Sequence, residues 1–284
     1  MSEDADANRF ETAEDRCALP LVRRLAAMLD RDPASLREGD PLPRGWHVTL
    51  FNPPTRQSTL RPDGAAGLGV ALPEIGLRRL MLGGRQVRFA GDIAIGARVR
   101  RETRQGGVRM KAGRSGRFAL INVLHRIFTE DASEPVLVES NDYVLREASG
   151  AAATGGTAAE AAGADAPQAA PDATRRLVPD EQLLFRYSAI TDNPHRIHYD
   201  QPYATGAEAY PALVVNGSIP AMFLLELFRG AAGCEPATFT SRNVAPMFCG
   251  RALHLNARDE GASWRLWAHD DAGRTTFEAR AESR

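Results

Sequence analysis

Tyr187-Ser-Ala-Ile-Thr-Asp-Asn-Pro-His-Arg-Ile-His-Tyr-Asp200 places two histidines, two aspartates and one asparagine in a single short segment. Within it, Asp192-Asn-Pro194 predicts a turn, because Asn and Asp side chains bond to their own backbone and proline fixes φ. Histidine titrates near neutral pH, so His195 or His198 could exchange a proton with a water that a neighbouring acid or amide holds. The alternative is a solvated turn with a capping aspartate and two surface histidines.

The segment Leu213-Val-Val-Asn-Gly-Ser-Ile-Pro220 follows and leads into the most apolar part of the chain. From Ile219 to Phe228 apolar residues occupy nearly every face of a predicted helix, a pattern typical of a helix wrapped by a sheet. Many small-molecule sites consist of polar groups at a chain reversal beside a buried helix. We therefore predict that the turn and the start of this helix belong to one site.

The segment Asn193-Pro-His-Arg-Ile-His-Tyr-Asp200 resembles the hydratase motif of MaoC-like dehydratases and R-specific enoyl-CoA hydratases, whose pattern is Asp-x-Asn-Pro-x-His. The variant with His-Arg-Ile-His-Tyr-Asp is similar to mesaconyl-CoA and itaconyl-CoA hydratase-like proteins. The resemblance implies a hot-dog fold and an Asp–His pair that activates one water, with His198 as the catalytic histidine.

The aspartate of that pattern has no direct counterpart in this chain. Counting back from His198, its position is occupied by Asn193, and Asp192 is one residue further away. An amide can orient water but cannot accept its proton. Either His198 is the only base, or a shifted turn brings Asp192 into the catalytic position.

The resemblance also implies that Gly217, at the start of the apolar helix, offers its backbone N–H to the thioester oxygen. Helix N-termini carry unpaired donors and a positive dipole end, which would stabilise a developing enolate. The family usually has His-Gly where this chain has Asn216-Gly217. The alternative for Gly217 is a plain turn before a helix. Further predicted substrate contacts are Tyr187, His195, Arg196, Tyr199, Asn216 and Ser218, together with Arg114, which would contact a CoA phosphate or else face solvent.

Composition restricts the partners of the chain. Its 284 residues are 43% hydrophobic, and 35 basic against 36 acidic residues give a net charge of −1, so no broad attraction to nucleic acid or membrane is expected. Cys17, Cys234 and Cys249 have no metal-binding spacing and leave one cysteine unpaired, which favours a reducing cytoplasm. The acidic N-terminus lacks the apolar core of a signal peptide, and the run from Leu213 to Phe228 is too short to span a membrane.

The order of predicted elements is a helix followed by strands, twice, which indicates an α+β protein. Together with the resemblance it implies a double hot-dog, with two antiparallel sheets that each wrap a central helix. We expect a non-catalytic, dehydratase-like first unit over 1–147, an Ala/Gly-rich flexible linker over 148–172, and a MaoC-like unit carrying the motif over 173–284. The Pro- and Gly-rich loop from Asn52 to Leu82 is either a lid or part of a binding site, or it is a surface excursion. Trp46 and Phe51 are expected in the core.

The resemblance thus implies an acyl-CoA hydratase or dehydratase. It would add water syn to a short, branched α,β-unsaturated CoA thioester of the mesaconyl-C4-CoA or itaconyl-CoA type, giving citramalyl-CoA, without metal or redox cofactor. One alternative is an acyl-CoA thioesterase, because hot-dog proteins also hydrolyse thioesters. Another is a non-catalytic acyl-CoA-binding protein. This alternative stays open because Asn193 occupies the position of the aspartate in the motif. A homodimer of double hot-dogs is the expected assembly.

Overall fold

The computed structural model describes residues 10–52, 54–65, 70, 75–77, 79–113, 116–146 and 170–283. In these residues ten antiparallel strands form one continuous sheet, accompanied by three α-helices. The strands are β1 (Glu11–Arg16), β2 (Arg79–Phe89), β3 (Arg98–Gly113), β4 (Gly116–Thr129), β5 (Leu137–Arg146), β6 (Ala173–Leu177), β7 (Thr238–Asn243), β8 (Leu253–Asp259), β9 (Trp264–Asp270) and β10 (Thr275–Glu282). The helices are α1 (Leu19–Met28), α2 (Glu181–Ile190) and α3 (Ser218–Ala232).

The sheet consists of two halves with the same strand topology. Its order is β1-β3-β4-β5-β2 in the first half and β7-β10-β9-β8-β6 in the second, so the second half repeats the first in reverse. The halves join edge to edge where Gly84 to Arg88 of β2 pairs antiparallel with Thr238 to Arg242 of β7. This duplicated α+β arrangement fits the expected double hot-dog, except that its two sheets are joined into one.

Helix α3 is the central helix of the second half. Every residue from Ser218 to Leu225 is buried, as is Phe228, because the sequence is apolar on nearly all faces. The helix packs on β8, β9 and β10. It ends at Gly233, whose φ of 69° is readily available to glycine and whose N–H bonds to the Arg229 carbonyl at 2.9 Å.

The first half contains no counterpart of α3 in the residues that the structure describes. Between β1 and β2 these residues form only α1 and three short 3₁₀ turns. Trp46, in the second of these turns, is fully buried and donates its indole N–H to Glu226 of α3 at 3.1 Å. Phe51 is buried nearby, as predicted. One hydrophobic core therefore includes residues of both halves.

Several elements differ from the sequence-based expectation. The sequence predicts separate strand segments beginning at Arg98 and at Val108, but β3 is continuous through both, with a register shift between Gln105 and Val108 at a Gly-Gly step. Strands β1 and β6 were not predicted, because both are polar edge strands with a single neighbour each. Most of the predicted linker, residues 148–169, lies outside the described residues. The division into units at 147 and 173 stays a prediction.

We predict that cutting the chain within 150–165 leaves the two halves associated, because strand pairing and a shared core hold them together. A protease site introduced there, followed by cleavage and native size-exclusion chromatography, checks this. A single peak that contains both fragments is expected. Separation of the fragments without denaturant would contradict the shared core.

Candidate active site

A cavity of about 660 Å³ lies between the two halves. Its wall comes from strands β2 to β5 on one side, and from the polar turn and the start of α3 on the other. This volume lies in the range typical of small-molecule sites. Eight residues predicted for the site line this cavity: Tyr187, Asp192, Asn193, His195, His198, Asn216, Gly217 and Ser218. Asn243, which was not predicted, lines it as well.

The predicted turn forms directly after α2. The backbone at Asp192 has a φ of 45°, a left-handed conformation that aspartate tolerates better than most residues. The Asn193 N–H donates to the Ser188 carbonyl at 2.9 Å, and the Asn193 side-chain oxygen accepts the His195 N–H at 3.1 Å. A 3₁₀ turn over Arg196–His198 follows and buries the second histidine.

His198 is held in one tautomer and one charge state. Its Nδ1 lies 2.8 Å from the Val214 carbonyl, which only accepts, so Nδ1 carries the proton and Nε2 has a free electron pair. Burial is the main cause that lowers the pKa of His198 to about 4, and the Val214 hydrogen bond only partly opposes it. The imidazole is therefore neutral at physiological pH and able to accept a proton at Nε2.

His195 packs against His198 edge to face, with 5.4 Å between the ring centroids. Burial also lowers the pKa of His195, which keeps a second charge away from His198. Two neutral imidazoles therefore line the cavity side by side, and only His198 is fixed by a backbone hydrogen bond in this pair.

The start of α3 presents an open donor to the cavity. The Asn216 side-chain oxygen accepts the Ser218 N–H at 2.9 Å, and Asn216 Nδ2 lies 3.5 Å from His198 Nε2. Among the described residues no acceptor bonds to the Gly217 N–H. Because Gly217 lines the cavity at a helix N-terminus, this N–H is available to an anionic oxygen.

The buried Tyr187 side chain shares a hydrogen bond with the Ser218 side chain. Burial raises the pKa of Tyr187, so its hydroxyl stays protonated. Asn243, at the end of β7, lies against Gly217: a β-carbon at Gly217 would be 2.6 Å from Asn243 Oδ1. Glycine is thus required here by close packing, since its φ of −61° suits any residue.

Two predicted contact residues, Arg196 and Tyr199, are not among the residues that line the cavity. Arg196 turns toward Asp200, with 2.9 Å between its Nε and Asp200 Oδ2, and stacks on Tyr203. Tyr199 is 51% exposed, because the 3₁₀ turn that buries His198 directs the next side chain outward. Arg114 lies outside the described residues. Asp192 and Asn193 both line the cavity, and Asp192 is exposed to solvent there.

The loop after Asn52 contacts the turn that carries Asn193 and His195. The Arg196 N–H donates to the Asp63 carbonyl at 2.8 Å, and Gly64 packs so closely on Pro194 that a β-carbon would be 2.2 Å from the Pro194 carbonyl oxygen. Ala65 lines the cavity. The described part of this loop is therefore a component of the site, which favours the binding-site interpretation over the surface excursion.

The polar wall that the first half supplies was not predicted from the sequence. It includes His47, Arg85, Arg101, His125, Glu139, Asn141 and Tyr143. A signal was present: in β5, Glu139 and Asn141 occupy the same buried alternation as Leu137. Polar residues in phase with an apolar strand face indicate a polar site rather than a plain core.

The described residues contain no group of three or more His, Cys, Asp or Glu side chains arranged to hold a metal ion. No helix in the described part of the chain is long and apolar enough to cross a membrane.

Comparison with known proteins is consistent with this geometry. A family model described as hydroxyacyl-thioester dehydratase type 2 matches residues 45–249. A Chloroflexus aurantiacus protein named mesaconyl-C(4)-CoA hydratase is 36% identical over 274 residues, covering 96% of this chain and 95% of that protein. The structure of a MaoC-like dehydratase from Phytophthora capsici matches with a TM-score of 0.71 at 14% identity, covering 100% of this chain and 99% of that one.

A Mycobacterium tuberculosis protein described as having a double hotdog fold matches with a TM-score of 0.58 at 15% identity, covering 98% of this chain and 96% of that one. These structural likenesses confirm the predicted fold. The double hot-dog architecture therefore places the cavity between its two halves.

We predict that Gly217→Ala destabilises the protein by about 1–3 kcal/mol, because the new methyl group overlaps the Asn243 side chain. Urea unfolding measures this change. Gly230→Ala is the matched control in the same helix: nothing lies near its added carbon, so we expect a gain of roughly 0.5–1 kcal/mol. Asn243→Ala should relieve the cost of Gly217→Ala in a double-mutant cycle. A neutral Gly217→Ala would contradict the close contact.

Proposed function

Because the chain belongs to the hydroxyacyl-thioester dehydratase type 2 family and is a hydro-lyase of the acyl-CoA hydratase kind, we propose that it hydrates a short, branched unsaturated acyl-CoA. The proposed substrate is of the mesaconyl-C4-CoA or itaconyl-CoA type, and the product is citramalyl-CoA. The observation that carries this proposal is the neutral His198 imidazole, whose unprotonated Nε2 has only a long 3.5 Å contact to Asn216 Nδ2 among the described residues, in one cavity with the open Gly217 N–H. The similar Chloroflexus protein, whose name gives mesaconyl-C(4)-CoA as its substrate, supports the choice of acyl group.

The proposed reaction requires one base and one oxyanion donor. His198 Nε2 accepts a proton from water as the water oxygen bonds to the β-carbon of the thioester. The electron pair of the double bond shifts toward the carbonyl, and the Gly217 N–H stabilises the enolate oxygen. The imidazolium then returns the proton to the α-carbon on the same face. The net change is addition of H and OH, and His198 ends neutral, as it began.

Asn193 is the proposed second partner of the water. Its side-chain oxygen already accepts the His195 N–H, which leaves its Nδ2 to donate to the water oxygen. Water held between this donor and His198 Nε2 keeps an electron pair for attack on the β-carbon. Asp192 is exposed, so we assign it no part in the bond-forming step.

The remaining assignments follow from the same placement. Ser218 and Tyr187 are proposed to shape the acyl pocket next to Gly217, because they bond to each other beside it. Arg114 stays a proposed contact of a CoA phosphate, and homodimerisation also stays a proposal. The step as written uses only side chains and backbone of this chain with the substrate and water.

We predict that the purified protein removes the conjugated absorbance of mesaconyl-C4-CoA without releasing free thiol, and that His198→Ala lowers kcat/KM by about 10²–10⁴-fold.

The wild-type rate should hold from neutral pH to about pH 5 and fall below it, because a base with a pKa of about 4 is lost on protonation. His254→Ala, at an exposed imidazole that does not line this cavity, should act as wild type. Thiol release at the rate of substrate loss would instead identify a thioesterase.

The two candidate partners of the water give opposite mutational patterns. We predict that Asn193→Ala lowers kcat by about 10-fold or more through lost water orientation, whereas Asp192→Asn stays within about threefold of wild type. Asn193→Asp should retain activity, because it supplies an oxygen for the turn and an additional acceptor for the water. Steady-state hydration kinetics with circular dichroism as a folding check measure these effects. A severe loss in Asp192→Asn alone would assign the role to Asp192.

A further inference from the structure

The charged wall of the first half has no part in the hydration step proposed above. We call five of its charged and imidazole members, His47, Arg85, Arg101, His125 and Glu139, the first-half cluster; Arg79 and Arg146 also line the cavity from this half. These residues lie on β2 to β5 and on the 3₁₀ turn after Gly45, and all of them line the cavity. Buried charges cost several kcal/mol each in desolvation, so a cluster of this kind needs a reason other than stability.

Glu139 is fully occupied within the cluster. One of its oxygens lies 2.6 Å from His47 Nε2, and the other accepts from Asn141 at 2.6 Å and from Arg85 Nε at 3.1 Å. Burial raises the pKa of Glu139, but the Arg85 charge, followed by the contact with His47, holds it well below its usual range. Glu139 is therefore an anion whose charge Arg85 already balances.

Arg101 is the cation that remains. In the part of the chain that the structure describes, no carboxylate forms an ion pair with it, and its buried Nε has no hydrogen-bond partner. Its guanidinium lies over the Phe51 ring, 4.8 Å from the centroid. Burial lowers the pKa of His125 to about 4, so this imidazole is neutral and adds no charge to the cluster. The first-half cluster thus has a net positive charge when the cavity holds no ligand.

The cluster lies beside the proposed acyl pocket. Arg85 and Glu139 are close enough to Tyr187 for their charges to influence its pKa, and Tyr187 bonds to Ser218 next to Gly217. A thioester whose carbonyl oxygen sits at the Gly217 N–H can therefore extend its acyl end past Tyr187 toward the cluster. The acyl groups proposed above end in a free carboxylate within a few bonds of the thioester.

We propose that Arg101, supported by the Arg85–Glu139–His47 network, binds a free carboxylate on the acyl group and so selects monothioesters of dicarboxylic acids over neutral acyl-CoAs. A guanidinium and a carboxylate form paired hydrogen bonds, and the buried setting strengthens them. The assignment rests on the proposed function for the position of the thioester. It makes the first half the part of the chain that sets substrate choice, while the second half supplies the base and the oxyanion donor.

The test compares unreactive ligands, so that it does not depend on turnover. Succinyl-CoA and butyryl-CoA are both saturated, have the same number of acyl carbons and differ in the terminal carboxylate. By titration calorimetry we expect wild-type protein to bind succinyl-CoA at least about 10-fold more tightly than butyryl-CoA, as expected for a charge-assisted pair. Arg101→Met should weaken succinyl-CoA binding by about 10²-fold and change butyryl-CoA binding by less than about threefold.

Two control variants separate this role from a general effect. Arg101→Lys keeps the charge and should retain part of the preference for succinyl-CoA. Arg100→Met changes the neighbouring arginine, which alternates to the other face of β3 and does not line the cavity, and should bind as wild type. Thermal unfolding of Arg101→Met without ligand should occur at or above the wild-type temperature, because the variant removes a partly buried cation whose desolvation lowers its pKa and which forms no ion pair with a described carboxylate.

Equal weakening of both ligands by Arg101→Met would overturn the proposal, because Arg101 would then act on the CoA portion or on the fold. So would a wild-type protein that binds the two ligands equally. A protein that prefers succinyl-CoA through Arg101 but does not hydrate mesaconyl-C4-CoA would uphold this assignment and refute the proposed reaction. A protein that hydrates mesaconyl-C4-CoA but shows no preference for succinyl-CoA would support the proposed reaction and refute the Arg101 assignment.

Discussion

The pairing of β2 with β7 is the interaction on which the rest of the molecule depends. It joins two copies of one strand topology into a single sheet, with Gly84 opposite Arg242 and Arg88 opposite Thr238. Asn243 follows at the end of the paired segment, donates to the Leu82 carbonyl at 3.2 Å and packs against Gly217. The junction that unites the halves therefore also positions the N-terminus of the central helix. Because of it, the strands of the first half form a wall opposite the catalytic turn.

The two halves have the same strand topology but present different side chains to the interior. The second half surrounds α3 with apolar residues and carries the turn with His198, whereas the first half presents buried charges to the common cavity. Exclusion of water affects both. It keeps the His198 imidazole neutral, and it strengthens the interaction of Arg85 and Arg101 with any anion that enters. A duplicated fold can in this way divide one reaction between its copies, with proton transfer in one and charge recognition in the other.

Local sequence predicted those parts of the site that are local in the chain. The turn at Asp192 and the helix beginning after Gly217 each follow from a few adjacent residues, and the resemblance of the motif singled out His198. Arg196 and Tyr199 were expected at the substrate for the same reason, but adjacency does not determine side-chain direction in a 3₁₀ turn. Strands β1 and β6 were missed, because polar edge strands lack the apolar alternation of strands covered on one face.

The first-half cluster could not be assembled from the sequence by such reasoning. His47 and Glu139 are 92 residues apart and meet only through the fold. Arg101 belongs to the basic segment Arg98 to Arg101, which by composition alone indicates a contact with a phosphate or with solvent. Only the strand register shows which of its arginines faces the cavity. Periodicity could have indicated the inward positions of Glu139 and Asn141, but not their partners.

One ligand should contact both halves of the protein at once, and a crystal structure with bound succinyl-CoA would show whether it does. We expect the thioester oxygen within hydrogen-bond distance of the Gly217 N–H, the acyl carbons beside His198, and the carboxylate on the Arg101 guanidinium. A carboxylate that points to solvent, or an acyl group that lies against the second half alone, would contradict it.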